Sequence, residues 1–399
     1  MRLIVFGMMG RCPFAGQTWL SLNWLRAFHR LGHEVWYVED DSRWPYDPLK
    51  RTFTDDCSYA VKHIAGCMAQ IGLASNWAYR FAESAGTCWG LSHEALNELY
   101  RSCDVLFTFG TTDLRDEHLA APRRVYIESD PVMSQLRLAN GDARTRQAFR
   151  QHHAIFTYGE NYGAPDCGVP LSGVTYQTTR QPIDLDCWRF SFTPAAPDFT
   201  TIGNYRQGRN DIEYNGEVYF WSKHHEWMKF MELPRRTSQP FEVALSVDNP
   251  SDREQLAGHG WRVVSPYEMS LDIFGAYPTY IRNSRAEFTV AKDQNVRLRS
   301  GWFSERDACY LASGKPVVAQ DTGFGNRLPT GEGLFAVSTV DQALAAIDAI
   351  NADYERHCRA ARAIAEEYFE ASAVARRLLE ELDGRELRIH EEVSDLQCG

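Results

Sequence analysis

Lysine is nearly missing from this chain of 399 residues: Lys50, Lys62, Lys223, Lys229, Lys292 and Lys315 stand against thirty-six arginines, an imbalance that reads as coding bias. No run of Lys and Arg exceeds two residues, and the formal net charge is −11. Proteins that grip duplex nucleic acid usually present a basic face, so strong duplex binding is not expected. The ten cysteines form no C-x-x-C pair and no Cys/His cluster at metal spacing. That excludes a disulfide framework and a structural zinc site, and predicts reduced thiols. No apolar run approaches the roughly 18 residues of a membrane span. The opening MRLIVFG lacks the apolar length and cleavage site of a signal peptide, so a cytoplasmic location is expected. Gly7-x-x-Gly10 lacks the tight G-x-G-x-x-G spacing of a dinucleotide loop, which disfavours a dehydrogenase.

What is present is ample apolar material. Hydrophobic residues make up 44% of the chain, and 21 Phe, 18 Tyr and 11 Trp supply enough surface to offset the entropy of ordering. At roughly 150 residues per domain, the length predicts two or three domains. Leu3–Phe6 reads as a buried strand, followed by a glycine loop and a helical pattern through Trp19, Leu22, Leu25, Phe28 and Leu31. Gly32 closes that helix and Glu34–Val38 is the next strand. Strand, helix, strand within forty residues means a parallel pair with a helical crossover. The pattern continues through helices near 58–72 and 92–101 and strands at 105–109, 125–127 and 155–158. Prolines at 182, 194 and 197 mark a connector. A second series then places strands at 199–203, 241–247, 261–264, 286–291 and 316–320, and a helical pattern over 340–382. The expected organisation is α/β, two Rossmann-like domains facing a central cleft. Residues 1–185 and 191–370 form the two halves, and a tail at 371–399 packs back on the first. Ligands of such sheets bind outside the carboxyl ends of the strands.

The most informative stretch is 300–323. Ser304 is a good N-cap with Asp307 three residues on, and Gly314 and Pro316 stop the short helix. The Ser300-Gly301 turn before that helix predicts an anion site on the backbone amides of 300–304. The strand Val317–Gln320 delivers Asp321, Thr322 and Gly323 to the cleft.

Ala312-Ser313-Gly314-Lys315-Pro316-Val317-Val318 resembles the A-x-G-x-P-V-V signature of nucleotide-sugar-dependent glycosyltransferases with the two-Rossmann GT-B fold. Phe14-Ala15-Gly16-Gln17-Thr18-Trp19 and Leu31-Gly32-His33-Glu34-Val35 are similar to the first loop and helix of that family. The resemblance implies an enzyme that uses a nucleotide diphosphate-sugar, UDP-type, as co-substrate and a separate acceptor (natural product, nucleobase, lipid or glycan), with no cofactor and no metal. It implies donor contacts at Ser300, Gly301, Ser304, Glu305 and Arg306, at Asp321, Thr322 and Gly323, at Gly203 and Arg206, and a nucleobase loop at Val264, Ser265 and Pro266. Gly16, Gln17 and Trp19 fall on the acceptor side. Cys309 stands where the family has a glutamate for the ribose hydroxyls.

Lys292, just past a strand, is placed to neutralise the leaving diphosphate. If the reaction inverts the anomeric centre, a carboxylate or His of the N-terminal half is expected to take the acceptor's proton. Asp130 is favoured, because Pro131 fixes its turn at a strand end; Asp113 and Asp40 are the other candidates. A nucleotide-sugar epimerase shares this architecture, and loss of the ribose glutamate leaves a catalytically inactive binding protein as a rival of another class.

Overall fold

The computed structural model describes residues 1–81, 87–110, 114–208 and 210–384. Six parallel strands build the first sheet: β1 Arg2–Phe6, β2 Glu34–Asp41, β3 Trp77–Phe81, β4 Val105–Phe109, β5 Arg124–Glu128 and β6 Ala154–Thr157, in spatial order β3-β2-β1-β4-β5-β6. Short edge strands at Cys88–Trp89 and Gln177–Thr178 extend it. Six more parallel strands build the second: β7 Phe199–Asn204, β8 Phe241–Ser246, β9 Arg262–Val264, β10 Ala286–Thr289, β11 Val317–Gln320 and β12 Leu334–Val337, in the order β9-β8-β7-β10-β11-β12. Each sheet therefore has the doubly wound order that reverses beside its first strand, and the reversal leaves a crevice at the strands' carboxyl ends. In the second sheet that crevice lies between β7 and β10, so the residues just after β10 enter it.

Leu3, Ile4, Val5 and Phe6 are almost fully buried, as expected of a strand covered by helices on both faces. The helix Ala15–Arg30 covers one face, and Gly32, at φ +82°, ends it in a backbone conformation that costs glycine little. The expected long helical pattern breaks into Val340–Ala352, Tyr354–Ile364, a π-turn at Ala365–Phe369 and Ala371–Asp383. The break lets the chain cross back: Ile183 and Phe369 pair through their backbones at 2.7 Å, and the last helix lies along Ala15–Arg30. Two buried strands escaped the sequence reading. β3 carries Arg80 as the fourth of its five residues and β12 is only four residues long.

The halves share one core. Trp19, in the first helix, packs edge-on against Trp188 and Phe274, and its indole N–H donates to the Ile273 carbonyl at 3.0 Å. Asn23 donates to the Glu305 carboxyl at 2.8 Å. A hairpin of the second half, Ile212–Tyr214 with Glu217–Tyr219, reaches over to the helix Met133–Ala139, where Asn140 donates to the Glu213 carbonyl at 2.7 Å. Trp19, expected on the acceptor side, is 3% exposed. It is a pillar of this interface, with no ring face left for an acceptor.

Two outcomes follow from these contacts. Trp19→Ala should cost about 3–5 kcal/mol in urea unfolding, the usual loss for a buried tryptophan. Glu305 is pushed up to about 8 from its ordinary 4.5, because burial disfavours its charge more than the Asn23 hydrogen bond favours it. The folded chain then keeps a proton that the unfolded chain has lost above about pH 4.5, so stability drops as pH rises from 5 to 8. Glu39 and Glu128 tilt the curve the same way. The part due to Glu305 is the difference from Glu305→Gln, expected to be about 1–2 kcal/mol over that range for a half-buried group. Parallel curves for the two chains would refute it.

Candidate active site

The carboxyl ends of β5 and β10 meet in the cleft. Lys292, first residue after Ala291 and only 6% exposed, places its ammonium against the Asp130 carboxylate of the other half. The same nitrogen lies 3.1 Å from the centroid of the Trp221 ring. Burying an ammonium costs several kcal/mol, and the opposed charge together with a desolvated cation–π contact of about 2 kcal/mol offset it. Burial pulls the Lys292 pKa down, while Asp130 works against that shift. Lys223 stands beside this pair over the Trp302 ring, 5.4 Å from its centroid. Burial, with the neighbouring positive charges of Arg306 and Lys292, lowers its pKa to about 7 although Asp307 and Asp130 oppose the drop. The Trp302 indole N–H donates to the Ser129 carbonyl at 3.1 Å, and Gln294 donates to the Pro131 carbonyl at 3.4 Å. Three buried polar atoms at this junction, Asp130 Oδ1, Gln294 Oε1 and Asn295 Nδ2, have no hydrogen-bond partner. Such atoms are rare in folded proteins.

Lys223 was missed in the sequence because it lies in an irregular segment between the hairpin and the helix His224–Lys229. Its one signal was scarcity: two of the chain's six lysines meet at this point.

The donor residues read from 300–323 are brought together, yet the structure corrects their roles. Four of the five amides expected to hold an anion already have acceptors: Ser300 N–H the Asn295 carbonyl at 3.2 Å, Gly301 N–H the Thr322 carbonyl at 2.7 Å, Trp302 N–H the Ser300 hydroxyl at 3.2 Å and Ser304 N–H the Asp307 carboxylate at 3.4 Å. The helix Glu305–Ala312 carries Asp307 in its first turn, so its positive end is answered from within. Glu305 turns to Asn23 of the other half. Arg306 spends its fork on the Glu287 carboxylate, Thr289, Asp307 and the Ile202 carbonyl. It is a buried strut between β7 and β10 that leaves Gly203 beside it. Asp321 receives Arg299 at 2.9 Å and the Gly323 N–H at 2.8 Å, and Thr322 donates to the Trp302 carbonyl at 2.6 Å. Its carboxylate holds a turn rather than facing a sugar. Gly301 and Gly323 sit at φ +80° and +91° against Asn161 of the first half, where a Cβ on Gly301 would come within 2.4 Å of the Asn161 nitrogen. Those glycines let the two halves close on each other.

Arg206 is half exposed and pairs with Asp252. Val264, Ser265 and Pro266 end β9 and lead into Tyr267, whose hydroxyl donates to the Pro48 carbonyl of the first half at 3.0 Å and meets Tyr46 at 3.2 Å. On the acceptor side, Gly16 and Gln17 are exposed at the start of the first helix. Asp40 is corrected as a base. Its side chain is fully buried and accepts from Arg80 Nε and His118 at 2.8 Å and Tyr100 at 2.9 Å, with Arg115 closing the ring. Burial would raise its pKa, but His118 and Arg80 outweigh it and hold the carboxyl well below the usual range. Asp113 lies outside the described residues. Glu39 accepts the Gly10 and Arg11 amides at 2.6 and 2.8 Å and the Tyr37 hydroxyl at 2.7 Å, which ties down the loop after β1. Among the described residues, no group of three His, Cys, Asp or Glu is placed to hold a metal ion, and no helix is long and apolar enough to cross a membrane.

No family model matches the sequence, and no curated protein matches it. Solved structures do match its fold. An alpha-glucosyltransferase in complex with UDP superimposes with a TM-score of 0.61 at 12% identity, over 96% of this chain and 100% of that one. The alpha-glucosyltransferase bound to UDP and a 13-mer DNA with a central A:G mismatch gives 0.60 at 12% identity, over 96% and 100%. A glycosyltransferase from Rickettsia africae gives 0.50 at 10% identity, over 96% and 97%. The chain thus has the GT-B fold of these glycosyltransferases: two Rossmann-like domains facing a central cleft.

Proposed function

We propose that this chain is a glycosyltransferase that moves a sugar from a UDP-type nucleotide diphosphate donor to an acceptor held by the first half, without a metal ion. One observation carries the reading. Lys292 lies at the topological switch point of the second sheet, where such sheets take their ligands, and it pairs across the cleft with a carboxylate of the first. UDP in the similarly folded alpha-glucosyltransferase supports the choice of nucleotide. The DNA in that protein's complex is not carried over, because a net charge of −11 and the absence of basic runs fit a smaller or uncharged acceptor.

In this reading the diphosphate draws Lys292 away from Asp130. The bond from the sugar's anomeric carbon to the phosphate oxygen breaks, and the electron pair leaves with UDP. The charge developing there is met by Lys292 and Lys223. The acceptor oxygen bonds to the anomeric carbon and passes its proton to Asp130. Lys223, with a pKa near 7, can gain a proton as the anion arrives, so donor binding should take up protons near neutral pH.

Titration calorimetry with UDP, GDP and dTDP checks the donor. Lys292→Met should weaken UDP at least about tenfold, the loss of one charge-assisted contact in a water-poor site. With UDP-glucose and UDP-GlcNAc as probes, Asp130→Asn should slow UDP release at least about a hundredfold. Absence of nucleotide binding would sink the reading. Isomerisation of UDP-GlcNAc without UDP release would assign the chain to the epimerases instead.

A further inference from the structure

Val132 has a backbone that valine avoids. Its φ of +86° and ψ of −49° put it in the region of the rare, strained γ-turn with positive φ. Of the five non-glycine residues at positive φ among those described, it alone is β-branched. It is fully buried, and it follows Asp130 by two residues. Strain of this kind persists only where the surroundings over-determine it, and it gathers at working sites.

The surroundings do over-determine it. The Val132 N–H donates both to Gln135 Oε1 at 2.8 Å and to the Tyr162 hydroxyl at 3.0 Å. The other end of Gln135 is fixed as well: its amide nitrogen donates to both oxygens of Glu128 at 2.9 Å, and Thr157 donates to the same carboxylate at 2.8 Å. Glu128 and Gln135 are 1% and 0% exposed, and neither touches the second half through these bonds. Glu128 is the last residue of β5, so the network spans the strand end, the turn and the first turn of the helix Met133–Ala139. Between its two anchors, Glu128 and Val132, hang only Ser129, Asp130 and Pro131.

We propose that Glu128, Gln135 and Tyr162 are positioning residues that hold the strained turn at Val132 and thereby aim the Asp130 carboxylate at Lys292. The assignment rests on the functional reading only for what the Asp130–Lys292 pair is used for. A buried carboxylate that spends both oxygens on one amide nitrogen gains nothing by facing the cleft itself. Its geometry is spent on the angle at which the next turn leaves the sheet. Relaxing Val132 to an ordinary φ would rotate the Pro131–Val132 peptide and carry Asp130 away from the ammonium.

The test is a double-mutant cycle read with UDP. While Asp130 occupies Lys292, it competes with the diphosphate. Asp130→Asn should therefore tighten UDP binding at least about threefold, Gln135→Met should tighten it by a similar factor, and the double variant should bind no tighter than either, because both act through one carboxylate. Gln135→Met that leaves UDP affinity unchanged, or whose effect multiplies with that of Asp130→Asn, overturns the relay. Should Gln135→Met not fold, Tyr162→Phe removes one of the two acceptors of the Val132 N–H and should shift UDP affinity in the same direction; no shift counts against the proposal. If the wild-type chain binds no UDP, the functional reading falls but the relay is still measurable. Urea midpoints of Gln135→Met, Lys292→Met and their double variant should then fall short of additivity, although the two side chains do not touch. Additive losses overturn the relay.

Discussion

A positive charge held in the seam between two domains has to be answered by something, and most of the site's geometry follows from how Lys292 is answered. Its ammonium finds one carboxylate, from the other half, and one aromatic face, from the segment after the hairpin. Remove the first half and the charge loses its carboxylate. The pair therefore joins the domains electrically as well as mechanically, and it is reversible in a way the hydrophobic contacts around Trp19 are not. In the proposed function, a diphosphate takes the lysine over without asking the shared core to unpack. Arg306 illustrates the opposite design. Its guanidinium is always protonated and forks rigidly, and it is locked to Glu287 and Asp307 inside one half, where it ties β7 to β10.

The closed rim around the pair is built from unequal materials. On one side Gly301 and Gly323 press against Asn161, and Asn161 N–H donates to the Ser300 carbonyl at 3.1 Å. On another, Tyr267 leans on the segment around Tyr46 and Pro48. On a third, the hairpin 212–219 lies on the helix Met133–Ala139 with Ile212, Tyr219, Leu136 and Val132 in one apolar cluster. The first two seams are a few polar contacts, each worth about 1 kcal/mol net, whereas the helix-to-helix contact at Trp19 and the last helix is buried apolar surface.

Much of the architecture was legible in the sequence because parallel strands covered on both faces are short continuous apolar runs, and Leu3–Phe6, Val105–Phe109 and Val317–Gln320 are of that kind. The reading failed where burial is achieved by pairing instead of by apolar character. β3, Trp-Ala-Tyr-Arg-Phe, looks like a surface segment until Asp40 is seen under Arg80. The site divides the same way. Lys292 and Asp130 drew notice because each follows a strand, and the structure pairs them. Ser300, Gly301, Ser304 and Asp321 do gather at the turn read from the sequence, but with their polar groups engaged, because sequence shows that a helix starts but not which acceptors its amides have already met. Trp19 was misread for a related reason: an aromatic near a loop looks the same on paper whether its ring faces a ligand or another tryptophan.

Lys223 marks the limit of such reading and the start of the physical argument that replaces it. Nothing in its neighbours along the chain sets it apart from Lys229 six residues later, which is exposed and pairs with Glu226. The difference is made by Trp302, Arg306 and Lys292, none of them within sixty residues of it. A lysine surrounded by apolar rings and like charges gives up its proton easily, and it regains that proton when a counter-anion arrives. A fixed arginine in its place would carry its charge whether or not the donor was bound, and the empty cleft would have to bear the repulsion against Lys292 and Arg306. In the proposed function, a lysine confines most of that repulsion to the state in which a diphosphate is present to neutralise it. In a chain that uses arginine at almost every other cationic position, two of the six lysines meet at this junction, and burial lowers the pKa of both.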